Sequence, residues 1–351
     1  MVLDSSTAAK RPSRISAGAV VRLAGLALVV GFAIWFVIAN RAQLPEVLRA
    51  ARTARPAYLV LAITLGVSFL VNYAAIHYFT YRAMGLRIPF REMFTLATAG
   101  HFLNMLLANT GGFGALPLYY RDADRRHQSR ALVTGAYLVV AQLGHLVFAG
   151  VLILAMIIAW ADGEVTQTEW AASAVFAAYT LGSLALLLAA LTSRRTTRFL
   201  HGLPARMFRL LRPGRERRAT APGANEADEL YETMQLLLHR PGALFVPFVL
   251  SIATELIGIP TVWSVLMAFN AHPSAADPII AYAIGVTFSI VGFLPAGLGF
   301  AEAGMGVALT SAGIAGPTVA VTVVTYRAIE VWIPFLAGAL ATRAAMARRD
   351  G

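Results

Sequence analysis

The sequence predicts an all-α polytopic integral membrane protein, with about six full spans and two broken or re-entrant helical segments arranged as an inverted repeat. Three observations carry that reading. Hydrophobic residues make up 58% of the chain and charged residues 13%, too little charge to cover the surface of a soluble domain. Apolar runs of about 20 residues, long enough to cross a bilayer, recur from end to end. The arginines collect in the loops between these runs, as the positive-inside rule requires.

The same composition excludes several function classes. The net charge is +11, but no RNP, zinc-finger or helix-turn-helix pattern accompanies it, so no nucleic-acid partner is expected. Cysteine is absent, which removes disulfides, thiol catalysis and thiolate metal sites. No P-loop, HExxH or G-x-S-x-G motif is present, so ATP-driven transport is not encoded and no cofactor or metal is implied. A transporter-like protein is expected rather than an enzyme.

Each element follows in order. Lys10, Arg11 and Arg14 precede an apolar run from Ala17 to Ala39 with no small-x-small cleavage site after it, which reads as an uncleaved first span. Further full spans are Ala57–Phe79, Leu132–Trp160, Ala171–Thr192, Ala243–Phe269 and Pro317–Ala341. Two apolar stretches are broken. Met93–Tyr120 is interrupted by Asn104, Asn109, Gly111, Gly112, Gly114 and Pro117, and Ile279–Ser311 by Gly292, Pro295, Gly297, Gly299 and Glu302.

Loop charge sets orientation. The 193–242 loop carries Arg194, Arg195, Arg198, Arg206, Arg209, Arg212, Arg215, Arg217 and Arg218 and is placed in the cytoplasm. The Ala161–Trp170 loop has Asp162, Glu164 and Glu169 and no base, so it faces out. Both termini are then cytoplasmic, in a cell (inner) membrane. Basic loops flank Met93–Tyr120 on both sides, at Arg82, Arg87 and Arg91 and again from Arg121 to Arg130, so this stretch starts and ends inside. Parity makes Ile279–Ser311 start and end outside. The first half, 17–160, and the second, 171–341, thus repeat one plan with opposite orientation, a common transporter design. Arg41, Arg49, Arg52 and Arg55 run against this count. They fit an amphipathic segment at the interface or a parity shifted by one span, and both remain open.

The stretch Leu294-Pro295-Ala296-Gly297-Leu298-Gly299-Phe300-Ala301-Glu302, with Gly313-Ile314, Tyr326-Arg327, Ile333-Pro334 and Gly338 at matching spacing, resembles the flippase-like membrane domain of lysylphosphatidylglycerol synthases and its stand-alone relatives. Tyr81-Arg82-Ala83-Met84-Gly85-Leu86 and the glycines near Gly111 extend the likeness to the first half. The resemblance implies handling of a phospholipid or polyprenyl-linked lipid. This sequence carries no soluble aminoacyl-transferase domain, so it further implies translocation without the synthase step, and it leaves open whether a separate synthase works upstream. Two departures leave the lipid open. The first break reads Asn109-Thr110-Gly111-Gly112-Phe113-Gly114-Ala115 where relatives have Pro-x-Arg-x-Gly-Glu, and Gln142 and His145 stand near the place of a Glu-Arg pair.

Ionisable groups inside spans are costly and usually face a cavity or a partner. Glu255, Glu302, Arg327 and Glu330 stand out. Arg327 and Glu330 are three apart, on one helical face, and can pair. In the functional reading Arg327 meets a lipid phosphate through its planar fork, while Glu302 and Glu255 meet a cationic head group or a proton. Asn109, Gly112, Gly114, Pro295, Gly297 and Glu302's neighbour Gly299 line the breaks and offer free backbone N–H groups. In the competing reading the charges only neutralise one another, Glu255 is a lone acid hydrogen-bonded to a neighbouring helix, and the glycines serve packing. His77, His101 and His145 read as interhelical hydrogen-bonding groups rather than metal ligands, and Asn72 as helix glue.

The leading expectation is a lipid translocase that moves an anionic or modified lipid head group between leaflets. The alternatives are a membrane-embedded enzyme or accessory subunit acting on a lipid-linked substrate, with Glu302 and Glu255 as acid and base, and a scaffold that uses its arginine loop. Under the leading reading Arg327→Ala abolishes transport and leaves folding intact.

Overall fold

The structure, a computed structural model, describes residues 38, 45, 49, 52–106, 113–161, 167–195, 228–229, 231–232, 235, 241–291 and 295–347. The chain divides into Met1–Arg49 and Ala50–Gly351, and the architecture below is that of the second unit. The first span, 17–39, apart from Ile38, and most of the arginine loop lie outside the described residues.

The described residues form helices and no strand. The first series is α1 (Pro56–Ala83), α2 (Phe90–Leu106), α3 (Leu116–Arg125), α4 (Arg130–Ala161) and α5 (Gln167–Thr192). The second is α6 (Phe245–Ala268), α7 (Asp277–Val291), α8 (Phe300–Ser311), α9 (Gly316–Arg327) and α10 (Ile333–Ala347), with a π-helical turn, Ala328–Trp332, joining the last two. Helices long and apolar enough to cross a membrane are Pro56–Ala83, Arg130–Ala161, Gly242–Ala268 and Gly316–Ala341. These coincide with four of the expected spans. A fifth, Ala171–Thr192, falls on α5.

Hydrocarbon offers no hydrogen-bond partners, so the backbone must satisfy itself within helices. The outward faces are apolar, and Val60, Ile153, Phe245 and Leu256 stand exposed on them. Two buried apolar clusters hold the helices together. One is built on Tyr81, Met93, Leu116, Tyr119 and Val133. The other is built on Val262, Leu266, Ile284, Met305, Leu309 and Tyr326.

The two series match in detail. Four helix ends share one C-terminal motif, in which a residue with positive φ lets the next N–H reach back to a carbonyl five residues earlier. Leu86 N–H donates to Tyr81 O at 2.9 Å past Gly85, and Ala271 N–H to Leu266 O at 3.1 Å past Asn270. Gln128 N–H donates to Ala123 O at 2.9 Å past His127, and Ile314 N–H to Leu309 O at 3.2 Å past Gly313. These ends close α1 and α6, then α3 and α8. Within each broken pair a glycine on the first limb receives a large side chain from the second. Tyr119 fills the space beside Gly100, and Met305 the space beside Gly285.

The equivalent helices α1 and α6 run antiparallel. Arg55 N–H donates to Ala268 O at 2.9 Å at one end, and midway Asn72 Nδ2 donates to Leu250 O and Thr254 Oγ1, both at 2.9 Å. Asn72 is thus the interhelical glue the sequence pointed to. Two of the histidines differ from expectation: His77 Nδ1 pairs with Tyr73 O at 2.9 Å inside its own helix, because a carbonyl four residues back lies within reach on one helical face. His145 instead meets Tyr179 of α5 edge-on, 5.0 Å between ring centres.

The basic loop from Arg121 to Arg130 is more than a topological signal. Arg126 pairs with Asp122 at 2.8 Å and with Glu92, and Arg130 grips Asp124 through two donors at 2.7 Å, while Arg121 and Arg125 are exposed. The Arg130 guanidinium donating to Asp124 holds that carboxyl below its ordinary value of 3.8. A carboxylate lowered in the folded state adds stability above its unfolded value, and that contribution disappears as pH falls through the folded one. Detergent-solubilised protein should therefore lose a small margin of thermal stability on acidification below about pH 4. Asp124→Asn should flatten this part of the profile, and solvent screening keeps the effect below about 1 kcal/mol.

Candidate functional site

The second broken pair is built around a turn that no regular helix could make. Pro295 lacks the N–H needed to continue α7, and the chain turns through Pro295–Gly297 with Ala296 at φ 53° and Gly297 at φ 64°. Gly297 also lies so close to α7 that a Cβ would stand 2.3 Å from Ser289 Cα. Gly299, at φ 80°, caps α8, and Glu302 reaches back from the first turn so that its Oε2 accepts the Gly299 N–H at 2.7 Å.

Arg327, at the end of α9, ties this turn to the next helix. Its side chain is 3% exposed. Its Nε donates to Glu302 Oε1 at 2.9 Å, one terminal nitrogen to Glu330 Oε2 at 2.7 Å, and the other to the Ala296 carbonyl at 2.6 Å. Ser289 Oγ donates to the same carbonyl at 3.2 Å. Glu330 sits in the π-helical turn. Pro334 cannot donate to the Glu330 carbonyl, so the ladder widens there, a local change that often marks functional positions in helices.

Burial sorts the three charges. Arg327 is enclosed, whereas the Glu302 and Glu330 side chains are 19% and 34% exposed. Two carboxylates share one guanidinium, so the triad carries one net negative charge. The N-terminus of α8 compensates Glu302 with its own partial positive charge, which leaves Glu330 as the accessible acceptor. The guanidinium has no open approach for a phosphate.

A second acid lies nearby. Glu255 on α6 is 7% exposed, and its Oε2 is buried with no hydrogen-bond partner among the described residues. The Tyr282 hydroxyl from α7 interacts with it, because Gly258 leaves a notch in α6 that the Tyr282 ring fills. Tyr282 also lies near Tyr326 and Glu330, and Tyr326 lies four residues before Glu330 and beside its carboxylate. The structure thus gathers Glu255, Glu302, Arg327 and Glu330, with Gly297 and Gly299 as the turn that Arg327 holds.

The first break is held by neutral groups. Asn104 Oδ1 accepts the Ala115 N–H at 2.9 Å, and its Nδ2 donates to the Tyr137 hydroxyl at 2.5 Å. Gly114 lies in a tight turn, Phe113–Ala115, before α3, while Asn109 and Gly112 lie outside the described residues. Where Glu302 caps the second limb in one half, Asn104 does so in the other, which fits the absence of the expected glutamate from the first break. The first limb of the first broken pair, α2, touches the Pro295–Gly297 turn.

Sequence reading left Tyr282, Tyr326 and Tyr137 without a role. Tyr326 had a legible signal, since it shares a helical face with Glu330. Tyr282 and Tyr137 gain their importance from neighbours distant in the chain. No cluster of three metal-ligating side chains occurs among the described residues.

Comparison with known proteins agrees with the architecture. The family model described as the lysylphosphatidylglycerol synthase TM region matches residues 22–338. A UPF0104 membrane protein of Methanothermobacter thermautotrophicus is 24% identical over 299 residues, covering 82% of this chain and 85% of that protein.

Proposed function

This chain belongs to the family of lysylphosphatidylglycerol synthase transmembrane regions, and from that premise we propose that it is a lipid translocase whose site reads an ammonium-bearing head group. The observation that carries this reading is the buried triad, in which Arg327 is spent on three acceptors while Glu330 remains accessible. A carboxylate at the edge of a broken helix offers an ammonium group a partner inside the membrane, where bare charge costs several kcal/mol. The phosphate of the same lipid stays toward the interface and the exposed arginines Arg121 and Arg125. The antiparallel pairing of α1 with α6 and the matched helix ends support two halves of opposite orientation, which would let the two breaks open alternately to the two leaflets. The loop arginines support a cytoplasmic placement of both termini in the cell membrane.

The test is head-group sidedness in liposomes containing the full-length protein. Wild-type protein should equilibrate an aminoacylated or ethanolamine-type lipid between leaflets, and Glu330→Gln should slow it about tenfold or more, the loss of one charge-assisted contact of about 1.5–3 kcal/mol. Equal rates for both proteins would remove Glu330 from the site. A new lipid product with unchanged sidedness would replace translocation with a membrane enzyme.

A further inference from the structure

The triad does not use Glu255, although that carboxyl is the sole ionisable side chain on α6 and is buried in the middle of a spanning helix. Among the described residues its surroundings offer it no cation. From α7 it meets the Tyr282 hydroxyl, and Tyr326 of α9 lies nearby. From α1 the group nearest its level is Asn72, which is neutral and already bonded to Leu250 and Thr254, and Tyr58 packs on Trp263 further along α6. On α4, His145 is turned against Tyr179 of α5. Arg327, the cation on α9, is held by Glu302 and Glu330. A charged carboxylate with one oxygen unpartnered cannot persist in such a place at low cost, whereas a carboxyl that binds a proton can.

Glu255 is also wired to the site. Tyr282 lies beside Glu255 and near Tyr326 and Glu330, and Tyr326 lies beside Glu330, the accessible member of the triad. The wiring depends on Gly258: a Cβ there would stand 2.4 Å from the Tyr282 ring and would push the hydroxyl away from α6.

We propose that Glu255 is a proton-binding residue that couples proton movement to movement of the lipid head group. The step is a simple exchange: the carboxylate takes one proton from the water that reaches it in one orientation and returns it in the other, with no other bond made or broken. With Glu255 charged, the Tyr282 hydroxyl donates to it. With Glu255 protonated, that hydroxyl is free to serve Tyr326, and through it the hold of Glu330 on Arg327 and on a bound ammonium group changes. This inference rests on the translocation reading and adds its driving force.

The experiment uses full-length protein in liposomes with a pH difference of about one unit across the membrane and an ethanolamine-type lipid probe, reading the final leaflet ratio. Coupling of one proton per lipid would set that ratio near tenfold, since one pH unit corresponds to a factor of ten in proton activity. Glu255→Gln should leave the ratio at about one. Because a buried substitution can impair folding, Tyr282→Phe provides a second variant. It keeps the ring in the Gly258 notch, removes the hydroxyl, and should lower the ratio toward one as well. A wild-type protein that equilibrates lipid without any asymmetry would overturn the coupling and leave translocation standing. Asymmetry retained in Glu255→Gln would overturn the role of this residue. Wild-type protein that moves no lipid with or without the gradient would overturn both readings.

Discussion

Replacing Arg327 by alanine should destabilise the folded protein by about 3–5 kcal/mol, the range for removing one partner of a buried ion pair. The reason is geometric. Glu302 and Glu330 each accept from Arg327, and the Ala296 carbonyl loses its donor too. Two carboxylates would then face each other with no cation, in a medium where unpaired charge is costly. The sequence alone suggested that this substitution would silence transport in an intact fold. The structure makes Arg327 a brace for the second break, so loss of transport in that variant would report misfolding as much as chemistry. Thermal unfolding in detergent separates the contributions. Arg327→Ala should unfold well below wild type, whereas the triple substitution Arg327→Met, Glu302→Gln, Glu330→Gln should recover most of the difference, because removing a whole buried ionic group is often nearly neutral. A single Arg327→Ala variant as stable as wild type would show that the triad does not brace the turn.

Gly297→Ala should cost about 2–4 kcal/mol, combining a left-handed backbone conformation with overpacking. At φ 64° a side chain is already strained, and the added Cβ would sit 2.3 Å from Ser289 Cα and 2.7 Å from Ser289 O. Neither contact can relax by a side-chain rotation, since both atoms are backbone. The turn would have to move away from α7, carrying the Ala296 carbonyl off Arg327 and Ser289. Gly299→Ala is the matched control. Its φ is 80° and its ψ −41°, but nothing lies within 4 Å of its Cβ position, so it should carry only the conformational strain, about 1–3 kcal/mol, without the overpacking. A Gly297 variant no worse than the Gly299 variant in thermal unfolding would remove the close approach from the account.

Much of the fold was legible because hydrocarbon imposes a simple rule. Every spanning segment must be apolar and about 20 residues long, and four spans were readable within a few residues at each end. The interruptions were legible for the same reason, since glycine and proline stand out against apolar runs, and the Pro295–Gly299 break appeared where Gly297 and Gly299 do carry positive φ. The pairing of Arg327 with Glu330 followed from helical spacing. The pairing with Glu302 joins residues 25 positions apart, and no local period announces it.

By itself, the sequence determined that this is a helical membrane protein with two interrupted segments and a few charges that cannot face lipid, because composition and run length decide how a chain meets a bilayer. Only the tertiary structure decided what those charges do. It closed Arg327 behind two carboxylates, left Glu330 accessible, set Tyr282 in the Gly258 notch beside Glu255, and answered the charged clasp of one half with Asn104 and Tyr137 in the other. The physical reason is range. Hydrophobic partitioning acts on each segment separately, whereas a hydrogen bond or ion pair needs atoms within about 3 Å, and for these residues that proximity exists only once α2 has packed on α4, and α6, α7, α8 and α9 have packed together.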